Sequence, residues 1–160
     1  MSIDLVKKGA SMSVSQKCQY ALRAVFELAR RSGEGPVRIA EVAEAQAIPV
    51  RFLEVILSEL KGGGFVQSRR GAAGGYLLAR AARGITVGEV IRFVDGPLGP
   101  VECLERGGGA ECEFEGNCVF MGLWRRAHRA LSEVYDRTSI EDLVEEDRRR
   151  RAEYVPSYAI

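Results

Sequence analysis

Between Val101 and Phe120 the sequence VECLERGGGAECEFEGNCVF holds Cys103, Cys112 and Cys118, three of the chain's four cysteines, with three consecutive glycines and five glutamates. Thiolates are soft ligands that suit zinc or iron–sulfur clusters. Eight residues separate the first two cysteines and five separate the last two, and a glycine-rich loop can fold so that the three sulfurs converge on a metal. This spacing is wider than the paired-cysteine knuckles of structural zinc sites, which makes zinc the weaker metal reading. Thiol oxidation, for instance between Cys112 and Cys118, needs no metal at all. His128, the only histidine, lies ten residues beyond Cys118 and reads as an ordinary helix residue.

The rest of the composition sets the setting for those thiols. At 160 residues with 46% apolar content the chain can build a core. No run of about eighteen apolar residues offers a membrane span, and residues 1–11 lack the apolar centre of a signal peptide. Four cysteines without a secretory signal point to a reducing, cytoplasmic setting rather than a disulfide scaffold. Residues 1–90 carry 13 Lys and Arg against 8 Asp and Glu, a net of +5, whereas residues 91–160 carry 10 against 14, a net of −4. Such asymmetry suggests a polyanion-facing domain joined to something else.

Several elements must position these groups. In SQKCQYALRAVFELARRSG, Cys18, Ala21, Leu22, Val25, Phe26 and Ala29 recur at helical spacing. A short helix from Ile39 to Gln46, a turn at Ala47 to Pro49 and a second helix from Val50 to Lys61 form a helix-turn-helix pattern. FVQSRR and GGYLLAR then read as a hairpin with a small basic tip, the position of a wing. Thr86-x-x-Glu89 is a capping box opening a further helix to Val94. From Cys118 onward Phe120, Leu123, Trp124, Ala127, Leu131 and Val134, together with Tyr135, keep the helical period. That face is too large to leave wet, so it is expected to pair with its counterpart in a two-fold dimer, the alternative being that it packs back on its own winged domain. Ser139 or Thr138 should cap a last helix from Ile140 to Ala152, whose RRRR run reads as a solvated helix end.

The expected fold is mainly α with a small β-hairpin wing: a winged helix-turn-helix domain plus a long dimerisation helix. Residues 1–11 are expected as a disordered extension or a mis-assigned start, 12–94 as the winged domain and 95–117 as the cysteine loop. Residues 118–152 hold the dimerisation and C-terminal helices, and 153–160 a tail.

On the second helix of the motif, Phe52, Leu53, Ile56, Leu57 and Leu60 are expected to form the buried side, leaving Arg51, Glu54, Ser58 and Lys61 on one polar stripe. Arg51 suits guanine or a phosphate, and Glu54 suits the cytosine amino group. The alternative is a solvated Arg51–Glu54 helical pair worth about a few tenths of a kcal/mol. At the hairpin, Arg69 and Arg70 beside Gly71 suit a minor groove or its phosphates, with Ser68 and Tyr76 on the same element. A winged domain that only docks a protein is a further possibility. An enzyme is not expected: the chain shows no nucleophile with a nearby base, no cofactor loop and no thioredoxin-like cysteine pair.

The succession SQKCQYALRAVFELA, RFLEVILSELKGGGFVQSRRGAAGGYLLAR and a cysteine loop before FMGLW resembles the Rrf-two family of bacterial winged-helix regulators, over roughly residues Met12 to Asp147. RGAAGGYLLAR is the most specific part. The resemblance implies homodimers on palindromic, double-stranded promoter DNA, with Glu54 where relatives read bases and Arg70 where the wing meets the minor groove. It also implies an iron–sulfur cluster, two-iron or four-iron, on Cys103, Cys112 and Cys118, since sensing members place three cysteines between the fourth helix and the long dimer helix. Some relatives complete the site with a histidine three residues after the last cysteine, where this chain has Met121, and others with an aspartate before the first-helix tyrosine, where it has Gln19. Cys18, one residue earlier, is either the missing thiolate or a small buried apolar residue. A water or a small thiol is a further candidate.

Overall fold

Three hydroxyl side chains start the framing helices. Ser15 Oγ accepts from the Cys18 N–H at 3.1 Å, Thr86 Oγ1 from the Glu89 N–H at 3.2 Å and Ser139 Oγ from the Asp142 N–H at 3.1 Å. Each satisfies a donor that a helix start leaves unpaired. At Thr86 and Ser139 the carboxylate three residues on accepts from the cap's own N–H, at 2.9 and 2.7 Å, and closes a capping box.

The computed structural model describes residues 13–101, 104, 114 and 116–154. Its elements are α1 (Gln16–Arg30), α2 (Ile39–Gln46), α3 (Val50–Gly62), β1 (Val66–Arg69), β2 (Gly75–Leu78), a 3-10 turn (Ala82–Gly84), α4 (Val87–Asp95), α5 (Met121–Arg137) and α6 (Ile140–Glu153). The chain is mainly helical, with one antiparallel hairpin in which Val66 faces Leu78 and Arg69 faces Gly75. Among the described residues no helix is long and apolar enough to cross a membrane. The expected extension at residues 1–11 lies outside the described residues, as do Cys103 and Cys112.

α1 forms the centre because its inward face is lined by small residues. Ala21, Ala24 and Val25 are fully buried, and the helix packs against α2, α3, α4, α6 and β2. α3 adds Leu53, Ile56, Leu57 and Leu60 to the same core. Phe52 departs from the expected buried side: it is 63% exposed. It lies about 100° round the helix from Leu53, beyond the arc that the four buried residues occupy.

Between α2 and α3 the chain turns at Ala47 with a left-handed φ of 48°, where its Cβ crowds the following carbonyl at a cost of about 1–2 kcal/mol that the packed turn must offset. Pro49 then caps α3, its fixed φ suiting a helix start.

α6 folds back onto the winged domain, with Ile140 and Val144 in the core beside α1 residues. The Val87 N–H donates to Thr138 O and the Ile140 N–H to Ile85 O, each at 2.9 Å. Periodicity in residues 118–152 marks two helices but not their partners.

α5 behaves differently. It begins at Met121, after Cys118 and Phe120, and none of its residues is buried. Phe120, Leu123 and Val134 are exposed, while Trp124, Ala127 and Leu131 are half-buried. Near its C-terminal end it meets α4: Arg92 donates a forked pair to Asp136 at 2.6 and 2.8 Å, and Tyr135 packs with Val87 and Ile91. Gly88 permits this approach, since a Cβ there would lie 2.0 Å from Asp136 Oδ1.

Candidate nucleic-acid interface

α3 presents Arg51, Glu54, Ser58 and Lys61 on its outward side, all exposed. The expected alternative, an Arg51–Glu54 ion pair, does not form: among the described residues neither side chain has a salt bridge or hydrogen bond. Lys61 Nζ donates to Ser68 Oγ at 2.8 Å, which ties the end of α3 to the first strand of the hairpin. On the flank, Lys17 pairs with Glu59 at 2.6 Å and fastens α1 to α3.

The hairpin is anchored from below. The Val37 N–H donates to Tyr76 O and the Tyr76 N–H to Val37 O, both at 2.8 Å. The Tyr76 side chain packs half-buried against the core, so it sits at the foot of the wing. Gly75 makes the bridge possible, because a Cβ there would lie 2.4 Å from Val37 O. Arg38 Nη2 donates to Ala72 O at 3.2 Å and steadies the tip, where Gly71 turns the chain with φ 107°. The Arg69 and Arg70 side chains project from this scaffold, exposed and without a hydrogen bond or ion pair among the described residues. The joined α3 and wing surface therefore presents Arg51, Lys61, Arg69 and Arg70 against the carboxylates of Glu54 and Glu59, the latter paired with Lys17. It can contact phosphates by charge and base edges by hydrogen bonding.

The support behind α3 includes a buried carboxylate that sequence reasoning missed. Glu27 is fully buried, and its oxygens accept from Arg30 Nη2 at 2.7 Å, Arg30 Nε at 3.1 Å, Arg31 Nε at 2.8 Å and Gln46 Nε2 at 2.8 Å. Burial pushes the carboxyl up, but the hydrogen bonds from Arg30, Gln46 and Arg31 outweigh it and hold the carboxyl below its ordinary range. The network joins α1 to the end of α2. A glutamate on the apolar side of α1, three and four residues before two arginines, is the signal that marks it.

The candidate metal ligands divide sharply. Cys18 is fully buried beside Val87 and Ile91. Burial and the neighbouring Asp95 carboxylate push its thiol up to about 12, so it is a neutral core side chain. Gln19 lies on the exposed side of α1, with Nε2 donating to Val14 O at 3.0 Å. Cys118 is half-buried just ahead of α5. His128 stays on α5, 3.5 Å from Ser132 Oγ. Among the described residues no three His, Cys, Asp or Glu side chains gather as a metal site.

Comparison with known proteins gives a consistent result. A family model, Rrf2, described as an iron-dependent transcriptional regulator, matches residues 14–146. The chain is 39% identical over 132 residues to the HTH-type transcriptional regulator CymR of Bacillus subtilis, covering 82% of this chain and 89% of that protein. It is 36% identical over 133 residues to the HTH-type transcriptional regulator IscR of Klebsiella pneumoniae, covering 83% and 80%. The solved structure of CymR, the global cysteine regulator of B. subtilis, superposes with a TM-score of 0.73 at 36% identity, over 84% of this chain and 97% of that one.

Proposed function

The chain belongs to the Rrf2 family of transcriptional regulators, and from that premise we propose that it acts as a cytoplasmic homodimer that binds a palindromic operator and senses through its cysteine loop. It is a regulator rather than an enzyme. The observation that carries the DNA reading is the Lys61–Ser68 link between α3 and the wing, which presents Arg51, Glu54, Arg69 and Arg70 together with no protein partner among the described residues. In this reading the first turns of α3 enter the major groove, where Glu54 accepts from a base and Arg51 reaches guanine or a phosphate. Ser58 and Lys61 follow the same groove wall. The wing tip, with Ser68, Arg69, Arg70 and Gly71, meets the minor groove, and Tyr76 holds its foot.

The apolar face of α5 supports dimerisation. Phe120, Leu123, Trp124, Ala127, Leu131 and Val134 make a face that a second copy would cover, and two related winged domains on one axis suit an operator with two half-sites.

The donor set of the loop fits a cluster: Cys103, Cys112 and Cys118 supply three soft ligands, and the matching family carries iron in its description. Of the two candidates for a fourth ligand this reading takes Gln19, which is exposed on α1, over Cys18, which is enclosed in its own core. A bound cluster would tether the loop between α4 and α5 by metal–thiolate bonds, so that its loss or oxidation changes how the two helices are held. The protein's own lever at that joint is the Arg92–Asp136 fork, which sets α5 against α4.

Two experiments test this reading. Anaerobic purification should give iron and sulfide in equal amounts with a visible chromophore, both lost in Cys112→Ala. A colourless, iron-free protein after attempted reconstitution would transfer the sensing role to thiol oxidation or zinc. Binding to selected promoter DNA should weaken steeply as salt rises. Arg70→Ala should weaken it broadly, and Glu54→Ala should relax preference at one position. Salt-independent binding, or unchanged profiles in both variants, would refute the assigned geometry.

A further inference from the structure

We propose that Val55 reads a thymine methyl group and sets specificity beside Glu54, an inference that rests on the DNA-binding reading above. α3 buries Leu53, Ile56, Leu57 and Leu60. At about 100° per residue, the direction opposite that stripe is occupied by Arg51, Val55 and Ser58. Glu54 lies on one flank and Phe52 on the other. Val55 is thus near the middle of the outward face rather than at its border with the core, and it is 56% exposed. It belongs to neither core cluster.

Nothing inside the protein accounts for an aliphatic side chain at this point. A β-branched residue is a weaker helix former than the polar residues that usually fill such a position. Its isopropyl group gains free energy only when a partner covers it. That partner must offer a small apolar group among hydrogen-bonding ones, because three of the four side chains one turn from Val55 are polar, Arg51, Ser58 and Glu59, with Phe52 the fourth. The major-groove edge of DNA has one such group. Guanine presents two acceptors, adenine an acceptor and a donor, and cytosine a donor, while thymine adds its C5-methyl to an acceptor. Val55 directly follows Glu54, so the two side chains address neighbouring positions. Val50 and Phe52 are the other exposed apolar residues of this helix, but each lies at a border with the buried stripe, Val50 beside Leu57 and Phe52 beside Ile56.

The test uses the full-length protein and an operator selected from random duplexes. Each thymine is replaced in turn by uracil, which removes only the methyl. Wild type should lose about three- to fivefold in affinity at one position per half-site, the effect of one buried methyl. Val55→Ala should bind thymine and uracil equally there and keep its preferences elsewhere. Because Val55 is exposed, matched thermal melting of the variant should verify an unaltered fold. Indifference of wild type to uracil at every position overturns the proposal, and is the outcome expected if Val55 serves a protein partner. Discrimination retained by Val55→Ala overturns it as well. If Glu54→Ala and Arg70→Ala alter binding while these two results appear, only the Val55 assignment fails. If wild type selects no duplex, both readings fall.

Discussion

Gly75→Ala places a methyl group at the foot of the wing where the backbone of Val37 already stands. The new Cβ would lie 2.4 Å from Val37 O and 2.6 Å from Val37 C. Neither is a flexible side-chain end that can turn aside, so the strand itself must retreat by about 1 Å to reach ordinary contact. The retreat breaks the pair of 2.8 Å hydrogen bonds between Val37 and Tyr76. At about 1 kcal/mol net for each bond, with some loss of Tyr76 packing, the expected destabilisation is about 2–3 kcal/mol. For a domain stable by about 5–15 kcal/mol this is a large fraction, and a urea midpoint should fall by about 1–2 M. Gly62→Ala is the control, because nothing lies within 4 Å of its Cβ. It should be neutral or stabilising by up to about 1 kcal/mol, from helix propensity. DNA binding should separate the two variants in the same direction, since only Gly75→Ala displaces Arg69 and Arg70. A Gly75→Ala midpoint equal to wild type would refute the claim that the wing is held by its backbone contact with Val37.

Glu27→Gln should cost about 2–3 kcal/mol at pH 7, at or just below the range of about 3–5 kcal/mol for breaking a buried pair, because the Arg30 and Arg31 side chains keep 28% and 25% exposure and can turn to water. The folded-state pKa of Glu27 is depressed, so its contribution is present above the unfolded value of about 4.3 and disappears as pH falls through the folded value. The gap between wild type and variant in urea melts should therefore close under acid conditions, and a constant gap would count against the network. Val134→Lys, on an exposed position of the α5 apolar face, should shift the protein from dimer to monomer in analytical ultracentrifugation without altering the fold of the winged domain. Cys18→Ala should lose about 1 kcal/mol of stability from a small core void yet keep full iron content, whereas Cys118→Ala should lose the iron; equal loss in both would return Cys18 to the ligand set.

Much of the candidate site was legible because it depends on local rules. Ala47 to Pro49 separate α2 from α3 by turn chemistry, and the capping residues Thr86 and Ser139 mark helix starts that the structure reproduces. Arg70 and Gly71 likewise announce a basic hairpin tip. Phe52 was harder to place, since an apolar residue on a helix reads as core until the neighbours that cover it are known. Glu27 is the converse, a charged residue drawn inside because Arg30, Arg31 and Gln46 meet it there.

By itself the sequence determined the order of elements, the polar stripe of α3, the hairpin tip and the presence of three clustered thiols, because these follow from periodicity, turn propensity and side-chain chemistry over short distances. Only the tertiary structure decided that α6 returns to the core, that Cys18 is enclosed beside Val87 and Ile91, and that Val55 faces outward between Arg51 and Ser58. Those outcomes depend on which surfaces meet across long stretches of chain. Burial is a property of the pair of surfaces and not of either one alone.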